Sequence, residues 1–357
     1  MGTRGIPNQY GGFEQFAQYL SDGLTKKGHD VYVYNSSLHP YKENKWQDVH
    51  IIHCKDWENR FGTAGQFIYD LNCINDSRNR NFDILLHLGY TSDSIWHWRW
   101  PSQTRHLVNM DGLEWRRSKY NGLTRSFLKK AEAWAANCAD QLVADSKGIQ
   151  HYIAEKYGRT PVYIAYGASI FTNPDSTCLS KYALTPWSYS LVIARMEPEN
   201  NIETIIKGFL STNPAQPLVI VGNISNKYGK ILRETYKDAR VRFVEAIYDN
   251  NTINNLRYHS SKYIHGHSVG GTNPSLLEAM ACGCSIIAHD NIFNKAVLQE
   301  NADYFKDETS LAILLIRTQQ KEAIEKRRES NFEKIRSDYN WQKIIDAYGE
   351  LIVETGR

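Results

Sequence analysis

The chain lacks any apolar run long enough to cross a bilayer, with no window of about 18 apolar residues anywhere in its 357 positions. Its opening stretch, Met-Gly-Thr-Arg-Gly-Ile-Pro, has no apolar segment resembling a signal peptide. Charge of one sign is also scarce: no run of five or more like charges occurs, and the formal net charge is only +3. Nucleic acid is therefore not an expected partner, and charge matters only locally. Cysteine is sparse, with six residues at 54, 73, 138, 178, 282 and 284. Only Cys282 and Cys284 lie close together, and Cys-Gly-Cys is not a usual metal spacing. The expectation is a cytoplasmic protein with free, mostly buried thiols and no metal or cofactor.

What is present is ordinary for a globular protein: 41% hydrophobic and 23% charged residues. A chain of 357 residues is too long for one ordinary core and suits two domains. Short β-rich runs alternate with helix-period segments from end to end, the pattern of parallel sheets with helices on both faces. In the first half the strand candidates are residues 29–35, 49–54, 82–89, 105–110, 141–144 and 161–165. In the second half they are residues 190–194, 218–221, 241–245, 262–265 and 285–288. Phe127, Ala131, Trp134 and Cys138 fall at helical spacing and predict a buried stripe on a helix over 123–139.

Between Gly167 and Ser188 the periodicity fades and Pro, Asn and Ser accumulate, marking a linker. The expected organisation is an N-terminal domain over 1–167, a linker over 168–187 and a C-terminal domain over 188–338. A final helix over 339–357, carrying Trp341, Ile344, Ile345, Tyr348 and Ile352 at helical spacing, packs back on the first domain.

Three segments carry chemistry. The strongest is His267-Ser-Val-Gly-Gly-Thr-Asn-Pro-Ser-Leu-Leu-Glu-Ala-Met-Ala-Cys-Gly283, a glycine-rich turn leading from a strand into a helix. Its backbone N–H groups and helix dipole suit a phosphate, and Glu278, about one turn in, suits a vicinal diol such as a ribose. An ordinary capped helix with an exposed glutamate is the plainer reading. The second segment is Ile193-Ala-Arg-Met-Glu-Pro-Glu-Asn-Asn201, which places Arg195 at the carboxyl end of a strand, where open α/β sheets bind ligands. The third runs from Gly2 to Glu14, where Gly11 and Gly12 would let the backbone approach a ligand at a helix start, or simply make a turn.

Together these segments resemble the retaining GT-B glycosyltransferases of family 4, over nearly the whole chain. Gly-Thr-Arg-Gly-Ile-Pro, Asn109-Met-Asp-Gly-Leu-Glu-Trp115 and Gly266-His-Ser-Val-Gly-Gly-Thr-Asn-Pro-Ser-Leu-Leu-Glu278 look like the branch of bacterial polysaccharide rhamnosyltransferases, with a DUF1972-type N-terminal domain. The resemblance implies two Rossmann-like domains facing a central cleft, and sugar transfer with retention from a nucleotide-sugar to a lipid-linked saccharide. Rhamnose from dTDP-rhamnose is the best match.

Within that reading Arg195 and the N–H groups of Gly271, Thr272 and Asn273 neutralise the leaving diphosphate without a metal, and Glu278 and His267 complete the donor site. Asp111 is the candidate for orienting the acceptor hydroxyl, with capping of a following helix as its plainer role. Two positions depart from the family pattern: the first glutamate of its Glu-x7-Glu pair is Gly270, and the lysine following its conserved arginine is Asn200. His267, Asn273 or Lys227 are the candidates for taking over the lost contacts. A non-catalytic nucleotide-sugar-binding subunit and a GT-B epimerase are the alternatives, although no good acid and base pair of carboxylates stands out for the latter.

The stretch from Trp96 to Lys130 carries eight Lys and Arg residues, including Arg116, Arg117, Lys129 and Lys130, against Asp111 and Glu114, together with Trp96, Trp98, Trp100, Trp115 and Tyr120. It predicts contact with an anionic membrane surface, peripheral at the inner face of the plasma membrane. A solvated basic helix beside packed tryptophans is the alternative. Family members place an apolar strand just before the Gly-Thr-Arg-Gly turn, so the resemblance also implies that the central first strand of the N-terminal sheet is missing here.

Overall fold

The structure is a computed structural model that describes residues 1–117, 120–318 and 320–356. The chain forms two compact units. The first comprises Met1–Arg116, Tyr120–Tyr166 and the C-terminal helix, and the second comprises Arg117 with Gly167–Asn340.

In the first unit the strands are β1 (Tyr32–Ser36), β2 (Lys45–Trp46), β3 (Val49–Cys54), β4 (Ile84–Leu88), β5 (Arg105–Asn109), β6 (Gln141–Ala144) and β7 (Val162–Tyr163). They make two separate sheets, of order β1-β3-β2 and β4-β5-β6-β7, parallel throughout except for β2. The helices are α1 (Gly12–Lys26), α2 (Glu58–Phe61), α3 (Ala64–Ser77), α4 (Gly122–Cys138) and α5 (Lys147–Tyr157).

The second unit holds one six-stranded parallel sheet. Its strands are β8 (Ser190–Ile193), β9 (Leu218–Val221), β10 (Val241–Val244), β11 (Lys262–His265), β12 (Ile286–His289) and β13 (Asp303–Phe305), in the order β10-β9-β8-β11-β12-β13. Its helices are α6 (Ile202–Ser211), α7 (Lys227–Thr235), α8 (Asn250–Tyr258), α9 (Pro274–Ala281), α10 (Ile292–Leu298), α11 (Glu308–Ile316) and α12 (Lys321–Ser337). The order reverses between β8 and β11, which puts the loops after both strands side by side at a topological switch point. Strands buried on both faces read as continuous apolar runs, and Leu218-Val-Ile-Val221 is fully buried for that reason. Val192, Ile206, Ile220, Ile264, Ile287 and Phe305 form the core around it.

The last helix, α13 (Trp341–Gly356), belongs to the first unit. Its apolar stripe meets α1: Trp341 stacks on Tyr19 with ring centroids 4.5 Å apart, and Phe16 packs edge-on against Tyr348 at 5.4 Å. The buried Asn109 side chain donates to the Tyr348 hydroxyl at 3.0 Å, tying the helix to the end of β5. No described helix is long and apolar enough to cross a membrane.

One local expectation needs correction, and two short strands are additions to it. The buried face of α4 is Leu128, Ala131, Glu132, Ala135 and Ala136, while Cys138 is exposed. The stripe is displaced because Glu132, a charged residue, is buried as a hub: it accepts from Tyr152, Tyr157, Lys156 and the Trp115 indole at 2.8 to 3.0 Å. Four hydrogen-bond donors repay the desolvation of a carboxylate that polarity alone would place outside. Strands β2 and β13, two and three residues long, are too short to show alternation.

The Asn109–Tyr348 bond gives the first prediction. Tyr348→Phe leaves a buried amide donor without its partner and should cost about 1 to 3 kcal/mol in urea unfolding. A midpoint unchanged from the parent would show that α13 is held by its apolar stripe alone.

Candidate active site

The site of the second unit is built by two loops pinned to each other. After β8 the chain runs through Arg195 into a single 3₁₀ turn at Pro198–Asn200 before α6. After β11 it runs through His267 and Gly270 into α9. The Asn201 side chain donates to the Gly266 carbonyl at 2.8 Å, and Ser268 donates to the Glu199 carbonyl through its amide and its hydroxyl. From the other side Asn291 and Asn294, at the start of α10, both donate to the His267 carbonyl. This anchoring makes the loop conformation a consequence of the sheet rather than of a ligand.

His267 sits at the centre. Asn200 donates its amide to the Arg195 carbonyl at 2.7 Å, which leaves its oxygen to face His267 Nδ1 at 2.8 Å. With the Asn200 oxygen as its partner Nδ1 carries the proton, and the Val269 backbone bonds the ring as well. Burial, followed by the neighbouring His265, Arg117 and Arg195, pushes the imidazole well below the ordinary histidine range. The same ring accounts for Gly270. Its φ of +129° lies outside the range of L side chains, and a Cβ there would stand 3.0 Å from His267 Nε2. A side chain at 270 would therefore be strained and would crowd the His267 ring, so Asn200 and Gly270 both meet that ring, from opposite nitrogens.

Beyond Gly270, Thr272 is buried and Asn273 caps α9, accepting from the Ser275 amide at 2.9 Å. The amides of Gly271 and Asn273 make no hydrogen bond among the described residues and lie at the positive end of the helix dipole. Arg195 is exposed. Glu278 is partly buried and ion-paired with the buried Arg257, which also donates to Asn254 and Ser275. Glu278 thus has a fixed side chain rather than the free one of an exposed helix. Arg257 shows no signal in the sequence because a basic residue in the last turn of a helix reads as an ordinary complement to the helix dipole. Lys227 is exposed at the start of α7.

In the first unit Asp111 follows β5 with a φ of +48°, and its amide donates to the Asn109 side chain at 3.0 Å. A non-glycine residue in this region is strained, and such residues cluster at functional sites. Gly11 caps α1 without a side-chain bond, leaving the first amides of α1, from Gly12 on, open. Its φ of −170° is one that any residue adopts, so the conformational need for glycine in this loop falls at Gly2 and Gly5, with φ of +87° and +124°.

Arg116, Lys129 and Lys130 are exposed, as is Arg125 beside them. Arg117 differs from these neighbours: its side chain is largely withdrawn from solvent, with Nη1 3.6 Å from Oε1 of the buried Glu199. Trp100 is buried and the Trp96 indole donates to the Phe67 carbonyl, so of the tryptophans in the basic stretch Trp98 is the one that stands out in solvent.

With this geometry in hand, comparisons place the chain. Residues 1–169 match the family model described as a domain of unknown function (DUF1972), and residues 187–329 match the one described as Glycosyl transferases group 1. Comparison with curated proteins gives no match. Among solved structures, the sucrose-phosphate synthase of Thermosynechococcus elongatus is similar at 16% identity and a TM-score of 0.78, covering 96% of this chain and 93% of its own. HepE from Anabaena, solved in complex with UDP and glucose, is similar at 15% identity and a TM-score of 0.76, covering 97% and 98%. A glycosyltransferase from Rickettsia africae is similar at 13% identity and a TM-score of 0.66, covering 98% and 97%.

His267 gives the second prediction. Because its folded pKa lies below the unfolded value of about 6.5, its contribution to stability is present above that pH and is lost as pH falls through it toward the folded value. In NMR titration its ring signals should stay those of the neutral form from pH 8 to pH 5.5, and Asn200→Asp, which sets a carboxylate against Nδ1, should restore titration near or above 6.5. Titration of the parent ring near 6.5 would contradict the assigned geometry. The chain has the GT-B fold, with a DUF1972 domain over residues 1–169 and a domain of the glycosyl transferases group 1 over residues 187–329.

Proposed function

We propose that this nucleotide-sugar-dependent glycosyltransferase is a retaining enzyme of family 4. It moves rhamnose from dTDP-rhamnose onto a lipid-linked saccharide in surface polysaccharide synthesis. The observation that carries the reading is the turn from Gly270 to Asn273 at the start of α9, where the Gly271 and Asn273 amides make no hydrogen bond among the described residues and the neutral His267 stands alongside. UDP bound to the similar HepE of Anabaena supports a nucleoside diphosphate as the ligand of this fold.

In the proposed step the bond between the anomeric carbon and the diphosphate oxygen breaks, and the acceptor oxygen bonds to that carbon on the same face. The acceptor proton passes to the leaving phosphate. Charge grows on the diphosphate, and Arg195 with the amides of Gly271, Thr272 and Asn273 stabilises it electrostatically without a metal. Glu278, oriented by Arg257, binds the ribose diol. His267 meets a donor sugar hydroxyl in place of the glutamate that position 270 lacks. Asp111 orients the acceptor hydroxyl.

A lipid-linked acceptor fits the exposed surface of α4. Leu123 is 85% exposed and Trp98 64% exposed, near Arg116, Arg125, Lys129 and Lys130. An exposed leucine and tryptophan among cations suit an anionic headgroup layer. The Glu132 hub holds Trp115 in place beneath Lys129, whose ammonium lies 4.6 Å from the indole centroid.

Two measurements test the reading. Arg195→Ala should lower kcat/KM by about 2 to 4 kcal/mol of transition-state stabilisation, and activity within a few-fold of the parent would remove Arg195 from this role. In vesicle co-sedimentation the protein should pellet with anionic vesicles at low salt and be released by salt or by changing Arg116, Lys129 and Lys130 to Glu. Equal recovery in the supernatant with and without anionic vesicles would reject the membrane contact.

A further inference from the structure

The turn Pro198–Asn200 carries two successive polar side chains with different surroundings. Asn200 faces the His267 ring, whereas the Glu199 side chain is 3% exposed and neither of its oxygens has a hydrogen-bond partner among the described residues. The backbone beneath it is fixed: the Glu199 carbonyl accepts from the Ser268 amide at 3.1 Å and from the Ser268 hydroxyl at 2.7 Å. A buried carboxylate without hydrogen bonds is costly unless a counter-charge stands beside it. Arg117, which belongs to the second unit, supplies that charge, its Nη1 lying 3.6 Å from Glu199 Oε1 and its side chain only 12% exposed. The preceding Arg116 behaves differently, exposed with its guanidinium over the Trp115 ring at 5.2 Å.

The distance of 3.6 Å is that of a charge pair rather than a hydrogen bond. Glu199 therefore attracts the guanidinium without taking a hydrogen bond from it. A guanidinium presents its N–H groups in a planar fork, so one edge can stay toward a carboxylate while another serves an anion. Arg117 also reaches the centre of the site by its charge: after burial and the neighbouring His265, Arg117 and then Arg195 are what keep the His267 ring from taking a proton. Asn200, the position of a lysine in the family pattern, brings no charge there. Its amide and its oxygen are committed to the Arg195 carbonyl and to His267 Nδ1. The loop after β8 thus contributes one cation at its start, Arg195, and the second positive charge at His267 comes from Arg117.

We propose that Arg117 is a further donor-binding residue, which joins Arg195 in holding the phosphate that carries the sugar. Glu199 is its positioning residue, keeping the guanidinium in the site. The inference rests on the reading of this site as the nucleotide-sugar site. There His267 meets the donor sugar, and the group next to that sugar is the phosphate whose charge grows as the bond to the anomeric carbon breaks. A diphosphate carries more than one negative charge, and a charge-assisted contact from a largely buried guanidinium suits it better than one from a hydrated side chain.

Isothermal titration of the full chain with dTDP, UDP and GDP identifies the nucleoside diphosphate that binds. The same ligand is then titrated into Arg117→Gln, into Arg117→Lys and into the double variant Arg117→Gln with Glu199→Gln. The double variant removes both charges together and so leaves no buried carboxylate without its counter-ion, which separates loss of the ligand contact from damage to the loop. Both variants carrying Gln at 117 should bind at least about tenfold more weakly than the parent, and Arg117→Lys, which keeps the charge, should bind more tightly than either. A double variant that binds within tenfold of the parent would overturn the proposal and leave Arg117 as the counter-ion of Glu199 alone. A Lys variant no tighter than the Gln variants would overturn it too, because the contact would then not be one of charge. No binding of any of the three diphosphates by the parent would instead remove the nucleotide-sugar reading, and this inference with it.

Discussion

A neutral imidazole held between an amide oxygen and a glycine organises the site in the second unit. Asn200 fixes the His267 tautomer, and Gly270 gives way to its ring. Around that pair the loops after β8 and β11 are tied together by Asn201 and Ser268 and backed by Asn291 and Asn294. Short polar side chains bonded to backbone carbonyls hold this loop system, which makes it rigid at small entropic cost and leaves the amides ahead of α9 open for a ligand. Asn200 and Gly270 both meet the His267 ring, one at Nδ1 and the other beside Nε2.

The same logic, polar groups placed where the apolar framework leaves room, recurs in the first unit. Glu132 is buried among two tyrosine hydroxyls, an ammonium and an indole. Burial and that carboxylate push the Tyr157 phenol up to about 12, while Lys156 moves upward as well despite its own burial. The hub ties α4 to α5 and to the turn carrying Trp115, and it keeps the cationic side of α4 turned outward. Asp111, strained at a φ of +48°, is reached through the same segment.

Much of the fold was legible in the sequence because a buried parallel sheet writes itself as continuous apolar runs. Leu218-Val-Ile-Val221, Gln141-Leu-Val-Ala144 and Lys262-Tyr-Ile-His265 are strands with the ends that the residues suggest. Two- and three-residue strands, with no room for a pattern, were not. For the site, the glycine-rich turn and Arg195 stood out because loops at strand ends need special residues. Arg257 and Glu132 did not, since a charge inside an ordinary helix reads as solvated until its partners are seen. Arg117 read as one more cation in a basic stretch, and only the burial of Glu199, eighty-two positions on, separates it from its neighbours.

The central claim is that the loops after β8 and β11 receive a nucleotide-sugar. A thermal-shift series with dTDP-, UDP- and GDP-sugars addresses it directly, because a ligand that binds only the folded state raises the melting midpoint in proportion to the logarithm of its concentration over Kd. The account predicts that one nucleotide class, dTDP-sugars first, raises the midpoint with that logarithmic dependence on concentration and that Gly270→Glu abolishes the rise. An unchanged midpoint with all three classes at millimolar concentration would contradict it.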